Sequence, residues 1–255
     1  MITSTANGQI KELVKLQKSA KERKKTGCFI AEGIKLVKEA FLEDMLEKVY
    51  LLDKLLEDSE IKELCDQTEY ELVAESVFLD IADTVTPQGI LGIVRQPKYS
   101  AEELINSEKG HFLLLEDLRD PGNLGTIMRT AEGAGMNAVL LSKGSVDLFN
   151  PKVVRATMGS VFRVPFCYAE DLGQVIDALK ARGIPVYGTM MKGSKRYNEC
   201  DYRSGAGIVI GNEANGISED IAAHLSGTVM IPMAGRLESL NAAVAAAVLM
   251  YEMIR

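Results

Sequence analysis

The second half of the chain alternates short, almost wholly apolar runs with longer helical ones. The runs at 112–115, 138–141, 186–188, 208–210 and 229–231 read as buried strands. Segments 124–135, 151–158, 172–182, 218–225 and 239–254 read as helices. Strands apolar on both faces with helices between them predict a parallel sheet covered on both sides. Ligands in such sheets sit outside the carboxyl ends of the strands, so the chemistry is expected just after them. The first half alternates too, with strands at 28–31, 48–52, 70–74 and 89–95 and helices at 34–42, 54–65 and 77–82. That pattern predicts a smaller α/β layer structure. Between the halves, Pro97, Ser100, Asn106, Ser107 and Gly110 break the alternation, with a little helix at 101–105. The expected organisation is a domain at 1–96, a linker at 97–110 and a domain at 111–255.

A chain of 255 residues, 47% hydrophobic and 25% charged, is neither disordered nor fibrous. Without tryptophan, and with 6% aromatics, it offers no broad stacking platform for single-stranded nucleic acid. Cys28, Cys65, Cys167 and Cys200 form no CxxC pair and have only His111 and His224 to join them, so no metal site is expected. The cysteine usage reads as reduced, mostly buried thiols. No secretory h-region opens the sequence, and no apolar run reaches the roughly 18–20 residues of a membrane span. A cytoplasmic protein with no membrane partner is the expectation.

The net charge of −7 hides an uneven distribution. Residues 11–25 hold seven bases and two acids, a net +5 that leaves −12 for the rest. Ile10, Leu13 and Val14 recur at helical spacing, and Asn7 is placed to cap. This predicts one amphipathic helix with a basic outer face. Such a face is either ordinary solvated surface or an arm that gains affinity for RNA by releasing counterions from phosphates. Lys21, Arg23, Lys24 and Lys25 are the candidate RNA contacts.

Three segments carry candidate chemistry. In the first, a strand ends near Leu115, a Pro121-Gly122 turn follows, and a helix is expected to start near Asn123 or Gly125 with Asn123 as cap. Arg129 then falls about a turn and a half into that helix, where it reads either as a surface arginine or as a fork for phosphate or an oxyanion. In the second, a buried strand runs into Gly211, Glu213 and Gly216, where glycine allows positive φ and close approach of a ligand. Neither GxGxxG nor a Walker lysine is present. In the third, Ile231-Pro232-Met233 leads through Ser239-Leu240-Asn241 into a helix apolar almost all round. Such a helix is buried on every side, either in a central core or at a subunit interface.

The order and spacing of these segments resemble the TrmH/SpoU family of RNA 2′-O-ribose methyltransferases, of the SPOUT superfamily. The resemblance runs from His111 to Arg255 through Asn123, Gly125 and Arg129, then Gly211, Glu213 and Gly216, then Ile231 and Ser239-Leu240-Asn241. Asn241-Ala242-Ala243 stands where the family often has Asn-Val-Ser. Upstream, Lys24-Lys25-Thr26-Gly27-Cys28-Phe29-Ile30-Ala31-Glu32-Gly33 is similar to the ribosomal-protein-like substrate-binding domain that often precedes it.

The resemblance implies a parallel-sheet α/β domain closed by a trefoil knot, which general topology would not suggest. It implies S-adenosyl-L-methionine held by Gly211, Ile231 and Leu240, largely through backbone groups. It implies a homodimer with active sites at the interface, ribosomal RNA as substrate and Asn123, Arg129, Glu213, Ser239 and Asn241 as catalytic residues. In this family the arginine is often described as a general base. A guanidinium holds its proton too firmly for that role. Arg129 is therefore expected to act as an electrostatic clamp on the developing alkoxide and adjacent phosphate. Glu213 and Ser239 are expected to orient it or the ribose, and Asn123 and Asn241 to position backbone and substrate. The alternatives are a transfer-RNA substrate, an inactive RNA-binding homologue and a nucleotide-dependent oxidoreductase, the last without the GxGxxG fingerprint.

Overall fold

The computed structural model describes residues 1–106, 110–190 and 194–255. Ser107, in the expected linker, lies outside them. The chain divides into two compact units, Met1–Pro97 with Asp147–Phe162, and Lys98–Val146 with Arg163–Arg255. The second unit is thus not the contiguous 111–255 stretch that the sequence suggests.

In the first unit, Asn7 caps α1 (Gly8–Lys18) by accepting the Gln9 N–H. Ser19 is extended, and its side chain caps α2 (Ala20–Thr26). The single basic helix expected over 11–25 is therefore two helices, broken where serine competes for backbone donors. Next come β1 (Cys28–Glu32), α3 (Ile34–Leu42), β2 (Leu46–Leu51), α4 (Ser59–Gln67), β3 (Glu69–Leu72), α5 (Glu75–Ile81) and β4 (Ile90–Arg95). The helix expected over 54–65 starts instead at Ser59, because the Asp58 carboxylate takes the Glu60 and Ile61 N–H groups and sets the first turn there. The sheet order is β1-β4-β2-β3, with β4 antiparallel to both its neighbours.

Ile10, Leu13 and Leu16 of α1 share a buried core with Ile30, Tyr50, Phe78 and Leu91. Each large apolar side chain so buried contributes about 1.5–3 kcal/mol. Phe29 of β1 packs on Phe149 and Phe162, with ring centroids 4.8 and 6.1 Å away.

Arg23 corrects the sequence reading. It is 3% exposed and cannot meet RNA phosphate. Its Nε and Nη2 donate to Asp147 Oδ2 at 2.8 and 2.7 Å, and its Nη1 donates to the Leu16 and Gln17 carbonyls at the end of α1. Arg23→Ala is expected to cost about 3 kcal/mol in denaturant unfolding, because Asp147 and two helix-end carbonyls lose their donor.

In the second unit come α6 (Ala101–Asn106), β5 (His111–Leu115), α7 (Pro121–Gly133) and β6 (Ala138–Ser142). Then α8 (Pro151–Thr157) belongs to the first unit. The chain continues through β7 (Phe166–Ala169), α9 (Leu172–Ala181), β8 (Val186–Thr189), β9 (Lys195–Arg196), β10 (Ala206–Ile210), α10 (Glu219–Ala222), β11 (Gly227–Met230) and α11 (Ala242–Met253). The sheet is parallel throughout, in the order β7-β6-β5-β10-β8-β11-β9. Phe112, Leu114, Leu140 and Val209 face α6 and α9, so the expected linker supplies Leu104 and Ile105 to this core. Across the sheet, α7 packs on β6, and α11 packs on β10 and α7.

Two strands, β7 and β9, lie beyond the sequence reading. The first is a four-residue strand directly after Pro165, and the second is two exposed residues with no apolar signal. The last helix also differs from expectation within one chain. Ala243, Ala246, Leu249, Met250 and Met253 are buried, whereas Val244 and Tyr251 are 50% and 54% exposed. No helix among the described residues is long and apolar enough to cross a membrane.

Candidate active site

The site is built where β8, β10 and β11 end. After β5, Asp120 caps α7 through its Oδ1, 2.7 Å from the Asn123 N–H, and Pro121 opens the helix. The Asp-Pro step favours this start, since proline at the first helical position gives up no intrahelical hydrogen bond. Asn123 is therefore not the cap that the sequence suggested, and its side chain is free for other work. Arg129 is the ninth residue of α7, more than two turns in.

After β10 the chain makes a tight loop. Asn212 and Gly216 exchange backbone hydrogen bonds of 3.0 and 2.9 Å, and Gly216 has φ +69°. A Cβ on Gly211 would stand 2.2 Å from the Gly216 carbonyl carbon, so only glycine lets the two backbone stretches meet. After β11, an exposed segment runs to Asn241. Its Oδ1 caps α11 by accepting the Ala243 and Val244 N–H groups at 2.9 and 3.3 Å.

Side chains tie the three segments together. Asn241 Nδ2 donates to Asn123 Oδ1 at 2.9 Å, and Asn123 Nδ2 donates to Glu213 Oε1 at 3.1 Å. Glu213 also accepts the backbone N–H groups of Arg119 and Asp120 at 3.1 and 3.0 Å. Partial burial raises the Glu213 pKa, but the Asn123 amide and the backbone donors outweigh it and hold the carboxyl below its usual range. The carboxylate is thus a fixed negative charge at neutral pH.

Between the loops lies a cavity of about 620 Å³. That falls within the roughly 300–1,000 Å³ of small-molecule sites. Gly211, Glu213, Ile231, Ser239, Leu240 and Asn241 all line it, with Met190, Met230, Met233 and Leu249 adding apolar wall. Apolar walls beside close backbone approach suit a flat heteroaromatic group with polar edges. The structure therefore brings together Gly211, Ile231 and Leu240, and beside them Asn123, Glu213, Ser239 and Asn241. Arg129 does not line this cavity within one chain. It is exposed, and its guanidinium has no hydrogen bond or ion pair among the described residues.

Residues 110–251 match the model of the SpoU rRNA Methylase family. The chain belongs to that family. Residues 7–92 match the MRM3-like substrate binding domain. A Bacillus subtilis 23S rRNA (guanosine(2553)-2′-O)-methyltransferase, RlmP, is 35% identical over 99% of this chain and 98% of its own. Human mitochondrial rRNA methyltransferase 3 is 30% identical over 96% of this chain and 71% of its own. Among solved structures, an AdoMet-bound rRNA methyltransferase from Sinorhizobium meliloti superposes with TM-score 0.88 at 33% identity, covering 99% of this chain and 96% of that one. The SpoU methyltransferase AviRb from Streptomyces viridochromogenes, in complex with AdoMet, gives 0.89 at 26% identity, with 97% of each chain covered.

In the first unit of this SpoU-family chain, Lys21, Lys24 and Lys25 are exposed, as are Lys11, Lys15 and Lys18. With Arg23 removed from the set, the basic face is all lysine, suited to phosphate rather than to bidentate base recognition. Replacing Lys21, Lys24 and Lys25 together by alanine is expected to reduce the slope of log affinity against log salt by about 2–3. Binding to ribosomal RNA at several salt concentrations checks it, and an unchanged slope removes the lysines from the interface.

Proposed function

We infer that this chain transfers a methyl group from S-adenosyl-L-methionine to a ribose 2′-hydroxyl of ribosomal RNA. The observation that carries the reading is the convergence of Gly211, Ile231 and Leu240 on one cavity, with Glu213, Asn123 and Asn241 joined beside it. The rRNA methyltransferase relatives and the MRM3-like domain favour ribosomal over transfer RNA. The intact hydrogen-bonded set disfavours an inactive homologue.

Gly211 lets the Gly216 backbone close against it and so shapes the cavity wall, and Ile231 and Leu240 would offer apolar contact to the adenine ring of a bound donor. When bound, the donor supplies a methyl carbon on a sulfonium: the 2′-oxygen bonds to that carbon as the C–S bond breaks, and sulfur leaves as a neutral thioether. The protein must align the hydroxyl and accommodate its loss of a proton to solvent or a nearby acceptor. Arg129 keeps its own proton and stabilises the developing alkoxide by charge. Asn123, Asn241 and Glu213 fix the neighbouring backbone, and Ser239 stands at the cavity wall to orient the ribose.

The active assembly in this reading is a homodimer. The exposed apolar side of α11, with Val244 and Tyr251, is its contact, and α7 packs on the same helix. This pairing brings Arg129 of the partner subunit to the cavity, whose lining includes no cation among the described residues. The last segment of the fold is read as the trefoil knot that the family resemblance implies. Mapping ribose methylation across ribosomal RNA with and without the protein tests the function. One nucleotide that loses its methyl group without the protein is the expected result, and an unchanged map contradicts it.

A further inference from the structure

The turn after β5 is locked by a cluster that the chemistry above does not use. Asp117 has φ +49°, the left-handed region that few residues other than glycine, asparagine and aspartate enter readily. Its N–H donates to Ser142 Oγ at 2.8 Å, and the Ser142 hydroxyl donates to Asp117 Oδ1 at 2.7 Å. Its carbonyl accepts from Asn212 Nδ2 at 2.8 Å. Leu118 continues the lock, donating to Ser145 Oγ at 3.2 Å and accepting the Val146 N–H at 2.8 Å. The next two N–H groups along the chain, those of Arg119 and Asp120, hold Glu213. A Cβ on Gly144 would stand 2.0 Å from Asp117 Oδ1, so the carboxylate occupies space that only glycine leaves open.

We propose that Asp117 and Ser142 are positioning residues for methyl transfer. Their reciprocal hydrogen bonds hold the turn in the left-handed geometry that aims two backbone N–H groups at Glu213 and one carbonyl at Asn212. The consecutive loop residues Asn212 and Glu213 are thereby referenced to β5 and β6, in the middle of the sheet. The proposal rests on the methyltransferase reading and deepens it. Asp117 and Ser142 do not line the donor cavity, and act through Glu213 and Asn212.

Three variants separate positioning from mere structure. Asp117→Ala removes the acceptor and puts an unsuited residue at positive φ. Asp117→Asn keeps both the acceptor and tolerance of that φ. Gly144→Ala keeps every donor and acceptor but displaces the carboxylate. Small displacements of a reacting group cost about tenfold to a hundredfold in rate. The single-turnover rate at saturating donor and RNA should therefore fall about tenfold or more in the Asp117→Ala and Gly144→Ala proteins. The Asp117→Asn protein should stay within about threefold of the native rate, and RNA affinity should be unchanged in all three.

Two readouts do not depend on activity. As its backbone donors loosen in Asp117→Ala, the Glu213 carboxyl should titrate closer to its ordinary range by carbon NMR, and the Arg119 and Asp120 amides should exchange faster. Unchanged titration and exchange in both Asp117→Ala and Gly144→Ala would overturn the proposal, as would an Asp117→Asn protein as slow as Asp117→Ala. If the native protein transfers no methyl group to RNA, the activity reading fails, and the titration and exchange still decide whether Asp117 holds the turn.

Discussion

Arg129→Ala should slow single-turnover methylation by about 10²–10³-fold at saturating donor, equivalent to about 2.7–4 kcal/mol of transition-state stabilisation. Donor affinity should stay near native, because the donor is held by Gly211, Ile231 and Leu240 while Arg129 is assigned to the alkoxide that forms only during transfer. The size of the effect follows from where charge appears. A neutral hydroxyl becomes an alkoxide during attack, and only Arg129 among the candidate catalytic residues carries a permanent positive charge. Arg129→Lys keeps the charge but loses the planar fork, so partial recovery is expected. Folding should be little affected, since the guanidinium is exposed and without a partner among the described residues. A native single-turnover rate in Arg129→Ala would remove the residue from the mechanism.

The second large effect belongs to Gly211. Its Cβ would lie 2.2 Å from the Gly216 carbonyl carbon and 2.4 Å from the Ile217 nitrogen, and these are backbone atoms that cannot swing aside. Gly211→Ala must open the loop that closes the cavity. S-adenosyl-L-methionine affinity should fall by about 100-fold or more, some 2.8 kcal/mol, as calorimetric titration would measure. Gly216→Ala is the control. Its φ is +69° but open space surrounds it, so it meets only the left-handed backbone penalty of about 1–2 kcal/mol and should keep most of the affinity.

The two variants also test the proposed dimer. If Arg129 acts in the opposite protomer's cavity, mixing Arg129→Ala with Gly211→Ala protein restores activity, because one site of each mixed dimer is intact. If Arg129 acts within its own chain, every site keeps one defect and the mixture stays inactive.

Most of this site was legible because its residues follow buried strands. The runs ending at Leu115, Ile210 and near Ile231 mark the carboxyl ends where the cavity lies. Gly211 and Gly216 mark a positive φ and a close approach; the structure gives the positive φ to Gly216 and sets the Gly216 backbone, rather than the expected ligand, against Gly211. The turn at 120–123 was less legible. Asp120-Pro121 is a cap-and-start signal, but reading Pro121-Gly122 as a turn shifted the helix start and gave Asn123 the wrong local role. Arg23 was misread because charge counting cannot tell a lysine on the outer face from an arginine turned inward onto Asp147. That partner lies 124 residues away in sequence, so no local pattern announces it. Segment Asp147–Phe162 packs in the first unit through Phe149 and Phe162 on Phe29. Hydrophobic periodicity fixes such residues as buried, not which core receives them.

The most direct test uses S-adenosyl-L-methionine labelled on its methyl group, ribosomal RNA and the purified protein, followed by digestion of the RNA to nucleosides. The account predicts label in a single 2′-O-methylnucleoside, absent when Gly211→Ala protein is used. Label on a base, or unlabelled RNA with the native protein, would contradict it.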